Sequence, residues 1–272
     1  MEWWLAGLLG IVQGITEFLP ISSSAHLRII PPLVGSKDFG ASFTAVTQIG
    51  TIFSVLIYFR KDLKNISSAL IKGTFDKNQR NFEFKLGLSI LFATIPIALI
   101  GFFAQDFIRT SARNLYLVAT ILLVFSFVMF VADRFNKQNL EISEISSKHI
   151  FIMGLAQALA LIPGFSRSGA TITAARFLKI KRDAAARVSF LLSVPAIVLS
   201  GVYEALDITK NNAVGWGPTI FATLIAFIVG YISIAWLLKW LGKHSLTSFV
   251  IYRIILAIIV LLLLNAQIIN PI

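Results

Sequence analysis

Two stretches decide the fold: Gly10 to Ile29, GIVQGITEFLPISSSAHLRI, and Gly154 to Thr173, GLAQALALIPGFSRSGATIT. At a constant offset of 144 residues, Gly10 aligns with Gly154, Gln13 with Gln157, Ser22 with Ser166 and Ser24 with Ser168. The second stretch is therefore an altered copy of the first. One copy carries Glu17 and His26, the other Arg167, all inside apolar sequence. An acid or Arg at membrane depth costs roughly 2.5 kcal/mol or more, so charges kept there are expected to have a function.

The surrounding chain supplies that membrane. Of 272 residues, 57% are hydrophobic and 14% charged, with a mean hydropathy of +0.82, whereas soluble domains are about 45 to 50% apolar. This composition excludes an ordinary soluble domain and predicts an integral membrane protein. Trp3, Trp4, Trp236 and Trp240 stand near the ends of apolar runs, where interfacial aromatics collect. The chain has no Cys, which excludes disulfides, Cys-ligated metals and thiol nucleophiles. Its net charge of +11 comes from basic residues flanking apolar segments, without an aromatic-interleaved basic face. Membrane topology accounts for that charge, and no nucleic-acid partner is expected. The N-terminus lacks a basic leader, so its apolar run is read as part of the mature fold.

Six segments are long enough to cross about 30 Å of hydrocarbon: Ala41 to Phe59, Leu86 to Ala104, Leu115 to Val131, Val188 to Ala205, Pro218 to Leu238 and Ser248 to Leu264. Two other apolar runs, Trp3 to Leu19 and Ile150 to Ile162, stop at Pro20 and Pro163. Each continues through a Ser-rich turn into a short arm, Ala25 to Val34 or Thr171 to Ile180. Proline ends each helix and the arms are too short to span, which predicts two re-entrant hairpins with their tips inside the membrane. Three spans follow each hairpin. The expected fold is thus a single all-α membrane domain, residues 1–272, of six transmembrane helices and two re-entrant hairpins. Its inverted-topology repeats run approximately 3–132 and 150–264.

Charge placement tests the topology independently. The connections Arg60 to Lys85, Arg134 to Lys148, Arg176 to Arg187 and Lys239 to Lys243 hold 17 of the 24 Lys and Arg residues. The other side holds five: Arg28, Lys37, Arg109, Arg113 and Lys210. The positive-inside rule then puts both termini outside the cytoplasm. The Arg60 to Lys85 connection is expected to rest on anionic headgroups.

The turns carry the chemistry. Gln13 and Glu17, four residues apart, share one helix face. Ser22, Ser23 and Ser24 begin the next arm, with His26 in its first turn, and Ser166, Arg167, Ser168 and Gly169 hold the equivalent place in the other hairpin. A helix N-terminus offers free N–H groups to an anion. Gly164 and Gly169 allow close backbone approach to a ligand, Thr171 adds a hydroxyl, and Arg grips phosphate oxygens in pairs. A Ser run after Pro is by itself only a helix cap, an intramembrane Arg can simply pair with an acid, and Gly10 and Gly154 serve packing. Coincidence of these polar features at equivalent points of two repeats makes a phosphate or diphosphate site the stronger reading. Arg253, alone in the last span, is left between snorkelling and approaching that site.

QGITEFLPISSSAH resembles the first signature of the bacterial undecaprenyl-diphosphate phosphatase family, and PGFSRSGAT, Pro163 to Thr171, matches its second in full. Two signatures in order make the resemblance specific, and length and hydropathy extend it over the whole chain. Gln13, where some members carry Glu, and Ala25, where Gly is common, depart from the pattern. The resemblance implies a hydrolase of the bacterial plasma membrane that removes the terminal phosphate of a C55 isoprenyl diphosphate. That reaction returns the lipid carrier of cell-wall synthesis to its monophosphate.

Phosphoryl transfer needs positioning and charge neutralisation. Arg167 with Ser166 and Ser168 is expected to clamp phosphate oxygens. Ser23 is the candidate nucleophile, His26 the general base and acid, and Glu17 a second base or metal ligand. Mg²⁺ or Ca²⁺, held by Glu17 and Gln13 together with substrate phosphates, suits an all-oxygen set. Direct attack by water on the same groups stays open. The isoprenyl tail remains among membrane lipids while the head group enters from the outer face. Inverted repeats with broken helices also build carriers, so a transporter or flippase of a lipid phosphate or other anion is the rival reading. The oligomeric state, homo-oligomer included, is left open.

Overall fold

The computed structural model describes every residue except 37–38, 105–106, 109–111, 113, 136–138, 209–214 and 272. Lys37, Arg109, Arg113 and Lys210 of the charge-poor side, and Lys137 of the other, lie outside the described residues.

The described chain is helical. In order it forms α1 (Trp3–Phe18), α2 (Ser23–Leu33), α3 (Gly40–Tyr58), α4 (Arg60–Phe75), α5 (Phe82–Phe103) and α6 (Leu115–Phe135). Next come α7 (Ser147–Ala158), α8 (Arg167–Phe177), α9 (Arg182–Ile208), α10 (Trp216–Leu241) and α11 (Thr247–Asn265). Short 3-10 turns add to these, and the β-type pairing among the described residues is one isolated parallel bridge between Leu140 and Ile180. Among the described residues five helices are long and apolar enough to cross a membrane: α5, α6, the Arg182–Gly201 part of α9, α10 and α11. A sixth span arises if α3 and α4, bent by 75° at their junction, count as one. The outward sides of these helices are apolar, as with Phe127 on α6, Ile228 on α10 and Leu262 on α11, a surface suited to hydrocarbon rather than water.

Both breaks form for the same local reason. A residue before proline is pushed towards extended backbone, and Leu19 before Pro20 has ψ 144° while Ile162 before Pro163 has ψ 121°. The chain leaves the helix there. It re-enters through Ser22 and Ser166, both with positive φ (76° and 70°). Each Ser caps the following helix: Ser22 Oγ accepts from Ala25 N at 3.4 Å and Ser166 Oγ from Gly169 N at 3.1 Å. The second arms, α2 and α8, are 11 residues each, too short to span. They start earlier than the expected Ala25 and Thr171 because the caps recruit the Ser residues into the turn.

Matched glycines bring the first arms close to their neighbours. A Cβ on Gly10 would lie 2.5 Å from the Ala222 carbonyl of α10, and one on Gly154 2.3 Å from the Ala93 carbonyl of α5. Only hydrogen fits at these crossings. The base of the second hairpin is tied by Asp133 on α6. Its carboxylate accepts from Arg176 Nε at 2.9 Å, Arg182 Nε at 2.7 Å and Leu246 N at 2.9 Å. One buried acid thus joins α6, α8, α9 and the start of α11.

The Arg60 to Lys85 connection is itself largely helical. It contains α4, whose Ile66, Ala69 and Gly73 are buried at helical spacing. This narrow apolar stripe lies against α5, where Gly73 faces the Phe84 ring.

Candidate active site

The two turns meet. Gly164 N donates to Ser22 Oγ at 3.2 Å across the hairpins, so the cap of the first arm also holds the tip of the second. Beside this junction a cavity of about 100 Å³ is lined by Thr16, Glu17, Ser22, Ser23, Ser24, Thr44, Gln48, Ala160, Ser166 and Arg167.

Glu17 is the hub. Its Oε2 accepts from Ser23 Oγ at 2.7 Å and Gln13 Nε2 at 3.1 Å. Oε1 accepts from Gln48 Nε2 at 3.4 Å and faces Arg167 Nη1 at 3.5 Å. The Ser23 bond has the geometry of a hydroxyl held by its base. The Arg167 contact is a long ion pair, and Arg167 Nε and Nη1, both buried atoms, have no hydrogen-bond partner among the described residues. Buried donors are normally satisfied, so a guanidinium whose Nε lacks a partner and whose Nη1 has only a long ion pair keeps donor capacity that an anion could use. Gln13 Oε1 is likewise buried without a partner among the described residues. Behind the Glu17 and Arg167 pair, a recess of about 10 Å³ is bordered by Ser168, Ser189 and Ser193.

Other sequence-selected residues take different positions. The His26 ring has Nδ1 2.7 Å from the Ser22 carbonyl and Nε2 2.6 Å from the Tyr252 hydroxyl, with the two rings stacked. Both nitrogens are thus engaged away from Glu17. Ser22 and Ser166 use their hydroxyls as caps while also reaching Ser24 and Ser168, each pair at 3.2 Å. Thr171 is fully buried outside the cavity, bonded to the Arg167 carbonyl at 2.9 Å and Ser189 Oγ at 2.5 Å. Gly164, with φ +105°, makes its close approach to the Val118 carbonyl of α6, while Gly169 lies against Ser166 and the Phe125 ring.

Among the contributors that the sequence reading did not select are Thr44, Gln48 and Tyr252. Thr44 and Gln48 from α3 line the cavity, and Tyr252 and Arg253 from α11 reach the turns. A Gln inside an apolar span was the available signal for Gln48; Thr44 and Tyr252 gave none. Arg253 was visible as a charge. The structure puts it at the turns, fully buried, rather than snorkelling.

A set of one carboxylate and one free amide oxygen, Glu17 and Gln13 Oε1, fits a hard divalent ion that draws its remaining oxygen ligands from phosphate or water. Among the described residues no three His, Cys, Asp or Glu converge to form an all-protein cage.

The chain is similar to known proteins over nearly its whole length. The family model described as bacitracin resistance protein BacA matches residues 6–259. The chain is 46% identical over 272 residues to an undecaprenyl-diphosphatase of Corynebacterium glutamicum, covering 99% of this chain and 93% of that protein. It is 47% identical over 264 residues to one of a Nocardioides species, covering 96% of each. With one from Mycolicibacterium smegmatis it shares 48% over 269 residues, covering 97% of this chain and 98% of that protein. A match over nearly the whole length, containing both turns and the helices that position them, means that this chain belongs to the bacitracin resistance protein BacA family.

Proposed function

We propose that this multi-pass membrane protein hydrolyses undecaprenyl diphosphate to undecaprenyl phosphate and inorganic phosphate, recycling the lipid carrier for cell-wall polymers. The carrying observation is the Ser23 to Glu17 hydrogen bond of 2.7 Å beside the unsatisfied Arg167 guanidinium. Relatives named for that activity support the choice of lipid.

Ser23 Oγ attacks the terminal phosphorus as Glu17 takes its proton, and the bridging oxygen departs on undecaprenyl phosphate. Water then attacks the phosphoserine phosphorus, the Oγ–P bond breaks, and Ser23 recovers a proton while inorganic phosphate leaves. Arg167 binds the equatorial oxygens, where its planar fork opposes charge spread over the transferring group. The N-termini of α2 and α8 add partial positive charge. His26, bonded to the Ser22 carbonyl, orients the turn that presents Ser23. Mg²⁺ or Ca²⁺ held by Glu17 and Gln13 would neutralise phosphate charge when bound.

In this reading α1–α2 and α7–α8 are re-entrant hairpins of an inverted repeat whose tips meet within the bilayer. Both termini lie outside the cytoplasm. We place the mouth of the cavity towards the outer leaflet, on the side where α3 begins, since Thr44 in its second turn lines the cavity and Gln48 lies midway along the helix. The isoprenyl chain stays in lipid.

The test is phosphate release from undecaprenyl or farnesyl diphosphate by the purified protein in detergent, with no gradient present. Catalytic release supports the hydrolase. No release, together with uptake of the lipid phosphate by reconstituted vesicles, would replace it with a carrier.

A further inference from the structure

The last span holds a charge that the hydrolysis of the diphosphate does not use. Arg253 on α11 is fully buried, and its partners among the described residues include no carboxylate. Nη2 donates to the Gly164 carbonyl at 2.8 Å, and Nη1 reaches the Pro20 and Phe165 carbonyls at 3.4 Å each. Nε donates to Ser126 Oγ at 3.0 Å, and the guanidinium carbon lies 5.4 Å from the centre of the Phe125 ring.

These partners have a pattern. Pro20 belongs to the first turn, Gly164 and Phe165 to the second. Helix breaks leave backbone carbonyls without intrahelical donors, a costly state away from water. One planar fork with five donors can serve several such carbonyls from two separate segments at fixed spacing. Lys, with a compact ammonium, cannot reproduce that geometry. The neighbouring Tyr252 engages His26 of α2, so consecutive α11 residues hold the first hairpin's second arm and both turns, and neither lines the cavity that Ser23 and Arg167 share.

We propose that Arg253 is a positioning residue. It clasps the two turns and sets the distance between Ser23 on one and Arg167 on the other, without touching substrate. This rests on the phosphatase reading. Misplacement of a reacting group by about 1 Å can cost about 100-fold in rate, while binding of the lipid, made largely elsewhere, would change little.

The experiment is steady-state phosphate release by the full-length protein in detergent for Arg253→Met, Arg253→Lys, Ser126→Ala and the Arg253→Met/Ser126→Ala double variant. Thermal unfolding and gel filtration are recorded for each. Arg253→Met is expected to lose about 100-fold in kcat with KM within about threefold. Arg253→Lys falls between it and wild type. Ser126→Ala, which removes one guanidinium partner, loses about fivefold, and the double variant is no worse than Arg253→Met because both act through one clasp. Near-normal kcat in folded Arg253→Met, a raised KM with unchanged kcat, or additive losses in the double variant each overturn the proposal. If Arg253→Met does not fold, normal kcat in both Arg253→Lys and Ser126→Ala overturns it. A wild-type protein that releases no phosphate rejects the phosphatase reading and this inference with it, whereas an active wild type with insensitive variants rejects only the clasp.

Discussion

Ser23 Oγ and Glu17 Oε2 stand 2.7 Å apart although they are six positions apart in the chain, because the Pro20 break folds the start of α2 back against the end of α1. In the proposed mechanism this contact, at the wall of a polar cavity, activates the hydroxyl. Ser23→Ala should lower phosphate release by several orders of magnitude, and Glu17→Gln by about 10² to 10⁴-fold if Glu17 is the base. Single-turnover kinetics with radiolabelled substrate check this. A loss of only a few-fold for Ser23→Ala would transfer the nucleophile to water.

Arg167 makes one long ion pair through Nη1 and no hydrogen bond among the described residues through Nε or Nη1. Its removal should therefore spare the fold while abolishing turnover. Arg167→Lys should remain at least about 100-fold impaired, since a point charge cannot grip two phosphate oxygens as a planar fork does. The check is kcat beside the thermal unfolding midpoint. Near-wild-type rates for Arg167→Lys would remove the bidentate clamp from the mechanism.

Gln13 Oε1 has no partner among the described residues and stands on the helix face that carries Glu17. Chelation with EDTA is expected to suppress activity, and Mg²⁺ or Ca²⁺ to restore it. Gln13→Glu should lower the ion concentration giving half-maximal rate, because a second carboxylate adds charge to the ligand set. A titration unchanged by this substitution would exclude position 13 from ion binding.

Asp133 satisfies Arg176, Arg182 and the Leu246 amide at once. Asp133→Ala removes the carboxylate that buried Arg176 and half-buried Arg182 share and should destabilise the protein by about 3 to 5 kcal/mol. Denaturant unfolding in detergent measures it. A loss below about 1 kcal/mol would show that the network is not what anchors the second hairpin.

The sequence alone revealed the membrane class, the two broken helices and the polar residues at their turns. Each of these is a local property: proline removes a helix donor, serine caps the next helix, and apolar runs of sufficient length declare themselves by composition. The helix within Arg60 to Lys85 stayed hidden because its apolar stripe of Ile66, Ala69 and Gly73 is narrow among many charges. Only the tertiary structure decided which polar residues share a cavity. It paired Glu17 with Ser23, Gln48 and Arg167, turned His26 towards Tyr252, buried Thr171 of α8 against Ser189 of α9, and brought Arg253 onto both turns. Those outcomes depend on how helices distant in the chain cross, and a crossing is set by the summed fit of many side chains, such as Gly10 on Ala222 and Gly154 on Ala93, that no local pattern encodes.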